Sequence, residues 1–166
     1  KRAKERIYHL LDNDLARTYL LTGPKGIGKR SMAMQMSRML LCDNPSSEGA
    51  CGVCGPCHYI EQGTHPDFIC LYPESGDKSV KVATVRNRVI SDLRMYPQIS
   101  KRKVYLIDGD ALGEEGQNAL LKSLEEPPDF SYFILTVSEA ERLQKTVLSR
   151  AVTVPLNRYT ENEVVE

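Results

Sequence analysis

Apolar residues along this chain fall into short continuous runs separated by stretches with helical spacing. Thr18 to Thr22, Asp67 to Tyr72, Lys103 to Ile107, Tyr132 to Val137 and Ala151 to Pro155 read as strands. Those at Lys103 to Ile107 and Tyr132 to Val137 are apolar almost throughout, the pattern of strands covered on both faces. Between them the spacing predicts helices. Arg2 to Leu11 has an apolar side at Ile7, Leu10 and Leu11. Lys29 to Leu41 places Met32, Met36, Met39 and Leu40 on one side, a stripe that reads as core packing. Val82 to Met95 does the same with Val82, Val85, Val89 and Leu93. Gly113 to Glu125 is stopped by Pro127-Pro128, and a short helix is expected within Glu139 to Ser149. Strands alternating with helices of this length imply parallel β-α-β units and a three-layer α/β sandwich.

Composition narrows the function classes. Twenty-two basic residues balance twenty-two acidic ones over 166 residues, so the whole chain has no general attraction for nucleic acid. That balance, and the lack of a basic-aromatic cluster, argue against a stand-alone zinc nucleic-acid binder. No apolar run approaches the ~18 residues of a membrane span, and no signal peptide opens the chain. A cytoplasmic protein with no membrane partner is expected. The start at Lys1 without Met, and the polar run from Thr160 to Glu166, read as the ends of a fragment.

Gly23-Pro24-Lys25-Gly26-Ile27-Gly28-Lys29 fits G-x-x-x-x-G-K between a strand and a helix, the context a phosphate loop requires. Its glycines let backbone N–H groups converge, the helix N-terminus adds partial positive charge, and Lys29 supplies a full one. The next residue breaks the pattern. A Ser or Thr hydroxyl there would coordinate Mg²⁺, whereas Arg30 has no lone pair to offer. Ser31 lies about 100° further round the helix and is expected to point elsewhere. Asp108, at the end of its strand, has the place of a metal-supporting carboxylate, although a plain helix cap would look the same. Gly109 stands where a water-activating Glu belongs, and Asp110 is one position too far and expected to face away. With two catalytic parts missing, nucleotide binding is expected to be weak and turnover absent.

Four of the five cysteines form the cluster Cys42, Cys51, Cys54 and Cys57, spaced C-x8-C-x2-C-x2-C. Without a secretion signal this reads as metal before disulfide. A closed Cys₄ set suits structural Zn²⁺ and leaves no open position for catalysis. His58 or His65 could replace one ligand, or the thiols could stay metal-free. Cys70 reads as a small buried apolar residue and His9 as solvent-facing.

Four signatures in order resemble the clamp-loader subunits of bacterial DNA polymerase III, a branch of the AAA+ ATPases. They are the phosphate loop; the cysteine module inserted after its helix; Val104 to Asp108 leading into Asn118-Ala119-Leu120-Leu121-Lys122-Ser123-Leu124-Glu125-Glu126-Pro127; and Ser149-Arg150-Ala151, similar to a Ser-Arg-Cys box. The residues at 30 and 109 depart from the gamma/tau type and are similar to the delta-prime type. The resemblance implies a five-stranded parallel AAA+ core over residues 1–166 with a zinc module at 42–65, and lid and collar domains outside this stretch. It further implies a hetero-pentameric ring with gamma/tau and delta subunits that loads a sliding clamp onto primed DNA. On that resemblance Arg150 is the arginine given to a neighbour's ATP site, and Ser138, with Thr136 as a rival, is the sensor residue. The alternative is an active gamma/tau-like ATPase. Lys122 and Glu125, one helical turn apart, are expected to pair.

Overall fold

The structure, a computed structural model, describes residues 2–13 and 16–157, so the polar run from Thr160 lies outside the described residues. Five strands form one sheet in the order β2-β3-β4-β1-β5: β1 Thr18–Thr22, β2 Phe68–Leu71, β3 Lys103–Asp108, β4 Ser131–Val137 and β5 Val152–Pro155. Every pairing is parallel, so each connection must cross over a face and carries helix. The expected three-layer sandwich with a five-stranded parallel sheet is what forms.

Alternation along the strands divides the core in two. Tyr19, Leu21, Val104, Leu106, Tyr132 and Ile134 meet α1 (Arg2–Asn13) and α2 (Lys29–Leu41) through Ile7, Met36, Met39 and Leu40. Leu20, Tyr105, Ile107, Phe133 and Leu135 face the other way, toward Val85, Val89, Leu120, Leu124 and Val147. The methionine stripe is therefore packing, as its spacing predicts.

Irregularities fall where side chains compete with the helix ladder. The segment expected as one helix from Val82 starts as α4 (Val82–Val85), widens into a π turn at Arg86–Ile90 and tightens to a 3₁₀ turn at Asp92–Arg94. Both the amide and the hydroxyl of Ser91 donate to the Arg86 carbonyl, which fixes the wider turn. The tight end presents Asp92 to Lys103 Nζ at 2.9 Å and to the Tyr105 hydroxyl at 2.7 Å. Lys103 is 1% exposed, a buried charge that the apolar reading of β3 did not foresee. The helix expected within Glu139 to Ser149 breaks into a 3₁₀ turn at Ala140–Arg142 and α6 (Lys145–Leu148). Buried Gln117 of α5 (Glu114–Glu125) causes the break: its side chain donates to the Arg142 carbonyl and accepts from the Gln144 amide. A seven-residue helix, α3 (Gly55–Glu61), was not expected; it starts inside the cysteine module with Pro56 in its first turn. Among the described residues no helix is long and apolar enough to cross a membrane.

Candidate nucleotide and metal sites

The glycine-rich loop at 23–28 joins β1 to α2 at the carboxyl end of the sheet, where open α/β sheets place their ligands. Gly23 has φ 154°, and a Cβ there would lie 2.6 Å from the Leu156 carbonyl, so only glycine fits. Gly28 caps α2 in the left-handed region at φ 99°. Lys29 folds back over the loop, donating to the carbonyls of Gly23 at 2.6 Å and Pro24 at 3.0 Å. Lys25, Gly26, Gly28, Lys29, Asp108 and Thr136 line an open cavity of 350 Å³ in front of the loop. A second cavity of 270 Å³ lies behind it, where Ile27, Met32, Leu156 and Ile7 of α1 give apolar walls. Nothing in the sequence pattern of α1 marked Ile7 as more than core. Ser31, expected to point away, reaches the rim of both cavities.

Arg30, directly after Lys29, is held at the wall of the first cavity. The Arg30 guanidinium carbon sits 4.2 Å from the centroid of the Tyr72 ring, a cation–π arrangement, and the Tyr72 hydroxyl shares a 2.6 Å hydrogen bond with Thr136 Oγ1. Burial pushes the Tyr72 phenol up to about 12. A direct pair between Asp108 and Arg30 or Lys29, which charge balance alone would suggest, is not formed within 4 Å among the described residues. The aromatic face captures Arg30 and the loop carbonyls capture Lys29. Asp108 lines the cavity and also caps the turn after β3, accepting from the Asp110 amide at 3.1 Å. Burial raises its carboxyl above the usual range, while the Asp110 amide and the more distant charges of Arg30 and Lys29 offset part of this.

Asp110 does not face away. It lines the same cavity and accepts from the Ser138 amide at 3.0 and 3.1 Å and from the Ser138 hydroxyl at 2.9 Å. The 3₁₀ turn at Gly109–Ala111 rotates it inward. Thus the Ser138 hydroxyl is committed to Asp110, and Thr136 is the strand-end hydroxyl on the cavity wall. Gly109 is built into the packing: a Cβ there would meet the Thr136 carbonyl at 2.8 Å, so a Glu at 109 needs β4 to shift.

Arg150 follows α6 on the surface, remote from its own chain's phosphate loop residues in sequence and placed by the α6 turn. Its Nη1 donates to the Thr146 carbonyl and to Ser149 Oγ at 3.1 Å, and its Nη2 pairs with Glu125 at the end of α5. Glu125 therefore pairs with Arg150, where helical spacing alone had suggested Lys122. The side chains meet because α5 and α6 end side by side over Leu124 and Val147.

The cysteine module converges as expected. Sγ atoms of Cys42, Cys51, Cys54 and Cys57 all lie within 4.8 Å of one another. Cys51 to Cys57 is 4.0 Å and Cys42 to Cys54 is 3.9 Å. A tetrahedron with Zn–S bonds of ~2.3 Å has edges of about 3.8 Å, so the thiols stand at zinc-binding separations. Amides of Asn44 and Cys51 point at Cys42 Sγ, and that of Cys54 points at Cys51 Sγ. Such donors favour thiolate: backbone N–H groups of Val53 and Cys54 bring Cys51 down to about 6. Burial, reinforced by the neighbouring thiols, pushes Cys57 up to about 12, a cost that a divalent cation removes. His58 is exposed, while His65 is buried and engaged elsewhere, with Nε2 on Ser100 Oγ at 2.9 Å and Nδ1 accepting from the Asp67 amide at 3.0 Å. The donor set thus fits four-thiolate Zn²⁺ better than either histidine alternative. Ser100 in turn donates to the Leu41 carbonyl, and Asp67 accepts from the amides of Gln98, Ile99 and Ser100. Sequence spacing gave no sign of this clasp, which anchors both ends of the module to the core.

Residues 3–160 match the family described as DNA polymerase III, delta subunit. The chain is 41% identical over 138 residues to the DNA polymerase III subunit delta′ of Pseudomonas aeruginosa, covering 82% of this chain and 42% of that protein. Against the delta′ subunit of Escherichia coli it is 38% identical, covering 79% and 39%. The tau subunit of Escherichia coli is 37% identical, covering 81% and 20%. The chain thus spans about two-fifths of the length of the delta′ relatives it matches. Among solved structures, a gamma subunit-related protein of Thermotoga maritima superposes with TM-score 0.71 at 18% identity, over 98% of this chain and 48% of that one. Thermotoga maritima RuvB superposes with TM-score 0.54 at 19% identity, over 98% and 47%. These two likenesses concern the fold.

Proposed function

We infer the function from one premise: this chain belongs to the family of DNA polymerase III delta′ subunits. It acts in DNA replication as the nucleotide-fold domain of a clamp-loader subunit. In the full protein it joins gamma/tau and delta subunits in a hetero-pentameric ring that places a sliding clamp on primed DNA. Its own nucleotide site does not turn over ATP, and Arg150 completes the ATP site of a neighbour. Zn²⁺ on Cys42, Cys51, Cys54 and Cys57 holds the inserted module in shape.

One observation carries the inert-site reading. The position that should offer Mg²⁺ a hydroxyl holds Arg30, and its guanidinium is stacked on Tyr72 within the cavity wall. Gly109 supplies no carboxylate and has no room for one. The partly apolar cavity behind the loop supports residual affinity for a nucleoside base, and Lys29, on leaving the Gly23 carbonyl, would meet phosphate at the head of α2 without a metal. Wild-type ATP binding is therefore expected to be weak and unchanged by Mg²⁺. Arg30→Thr gives up a cation–π contact worth about 0.5–1 kcal/mol and places a hydroxyl in the metal slot. In a binding titration it should acquire Mg²⁺ dependence without acquiring hydrolysis; strong Mg²⁺ dependence in the wild type refutes this.

Assembly tests the wider reading. Full-length protein mixed with its own gamma/tau and delta subunits should enter a five-membered ring, read as a single mass in solution. Failure to join that ring would remove the clamp-loader assignment.

A further inference from the structure

Arg150 is not free in this chain. Nη1 is taken by the Thr146 carbonyl and Ser149 Oγ, and Nη2 by the Glu125 carboxylate. Both terminal nitrogens, the ones a guanidinium uses against a planar or tetrahedral anion, thus donate within the chain. The carboxylate has its own reason to hold a cation. Glu125 ends α5 with Glu126 beside it, at the negative pole of the helix dipole, where an unpaired carboxylate is disfavoured. The pair is nevertheless weak. Its side chains are 29% and 47% exposed for Arg150 and Glu125, and a contact this wet shifts an equilibrium by at most about five-fold.

We propose that Glu125 is a latch that parks Arg150 on its own subunit until a neighbour's nucleotide competes for it. This rests on the reading of Arg150 as an arginine given in trans. A carboxylate held on the guanidinium cancels its charge and would repel a γ-phosphate approaching the same nitrogens. Arg150 must therefore leave Glu125, or share it at a cost, before it can stabilise charge on the neighbour. Because the pair is weak, a triphosphate in a closed interface can displace it, whereas an empty or loosely held site cannot. Glu125 thus sets a threshold for engagement. Thr146 and Ser149 hold the other nitrogen against the end of α6. Residues from two segments 25 positions apart make the contact, so it is a product of the α5–α6 packing.

Rings assembled from full-length wild type, Glu125→Gln, Arg150→Ala and the double variant separate the possibilities, with ATP hydrolysis followed at sub-saturating ATP over a range of salt. Glu125→Gln keeps the shape and removes the charge. It is expected to raise hydrolysis at the neighbouring site, read by single turnover, about two- to five-fold at low salt. The gain should shrink as ionic strength screens the wild-type pair. The double variant should match Arg150→Ala alone, because the latch acts only through that arginine. A brace that merely stabilised the fold would lower both hydrolysis and the thermal midpoint in Glu125→Gln, the opposite sign. Unchanged or reduced hydrolysis in Glu125→Gln, or a gain that survives in the double variant, overturns the latch. If Arg150→Ala itself leaves hydrolysis unchanged, the trans-arginine reading beneath the latch is what fails.

Discussion

Replacing Arg150 with Ala is expected to leave this domain folded and the ring assembled while lowering hydrolysis at the neighbouring site by on the order of 10³-fold. The fold should tolerate the change because the side chain lies at the surface and its ion pair is exposed. The kinetic effect should be large because a permanently charged, planar guanidinium meets negative charge that develops on the transferred phosphoryl group. Only one site in the ring loses its arginine, so the bulk rate falls by that site's share unless the sites fire in sequence. Single-turnover measurement on assembled rings reads the affected site directly. Arg150→Lys should recover little, since a single ammonium cannot reproduce the fork.

Cys54→Ser is expected to reduce bound zinc from one equivalent per chain to well below it and to destabilise the protein by about 4 kcal/mol, the scale of losing a structural metal. A serine hydroxyl does not become the thiolate that Zn²⁺ needs. The damage should concentrate between Cys42 and His65. Beyond His65 the chain is anchored again through Ser100 and Asp67, and the far face of the sheet packs without any residue of the module. Hydrogen exchange should show protection lost in the module and retained in β3 and β4. Acid should mimic the substitution, because protons compete with the metal for the thiolates, so affinity falls as pH falls. Burial holds the Cys57 thiol high, so among the events of acid release its protonation is strongly favoured. Equal zinc in wild type and Cys54→Ser would remove Cys54 from the ligand set.

Much of this architecture is legible along the chain because burial and backbone period coincide in it. β1, β3 and β4 are built on short apolar runs and emerge with nearly the expected bounds. The cysteine set was readable for a different reason, since few folds place four thiols in so short a stretch without a metal. What spacing could not convey were contacts between distant segments. The partner of Glu125 depends on where α5 and α6 end, and the capture of Arg30 depends on Tyr72 at the end of β2. Asp110, one position past the expected carboxylate, is brought inward by the 3₁₀ turn after β3, which spacing along the chain does not reveal. Each of these is a short-range electrostatic choice made after the sheet has set the geometry. Local sequence carries the frame, and the frame selects the pairs.

The central claim is that this subunit's own nucleotide site is inert while its arginine serves a neighbour. ATP turnover by the isolated full-length protein with Mg²⁺ tests the first half without any contribution from partners. With Arg30 in the metal slot and Gly109 in place of a carboxylate, release of phosphate should not rise above that of buffer at saturating ATP. Steady turnover that depends on Lys29 and on Mg²⁺ would contradict the account and make this chain an ATPase of the gamma/tau kind.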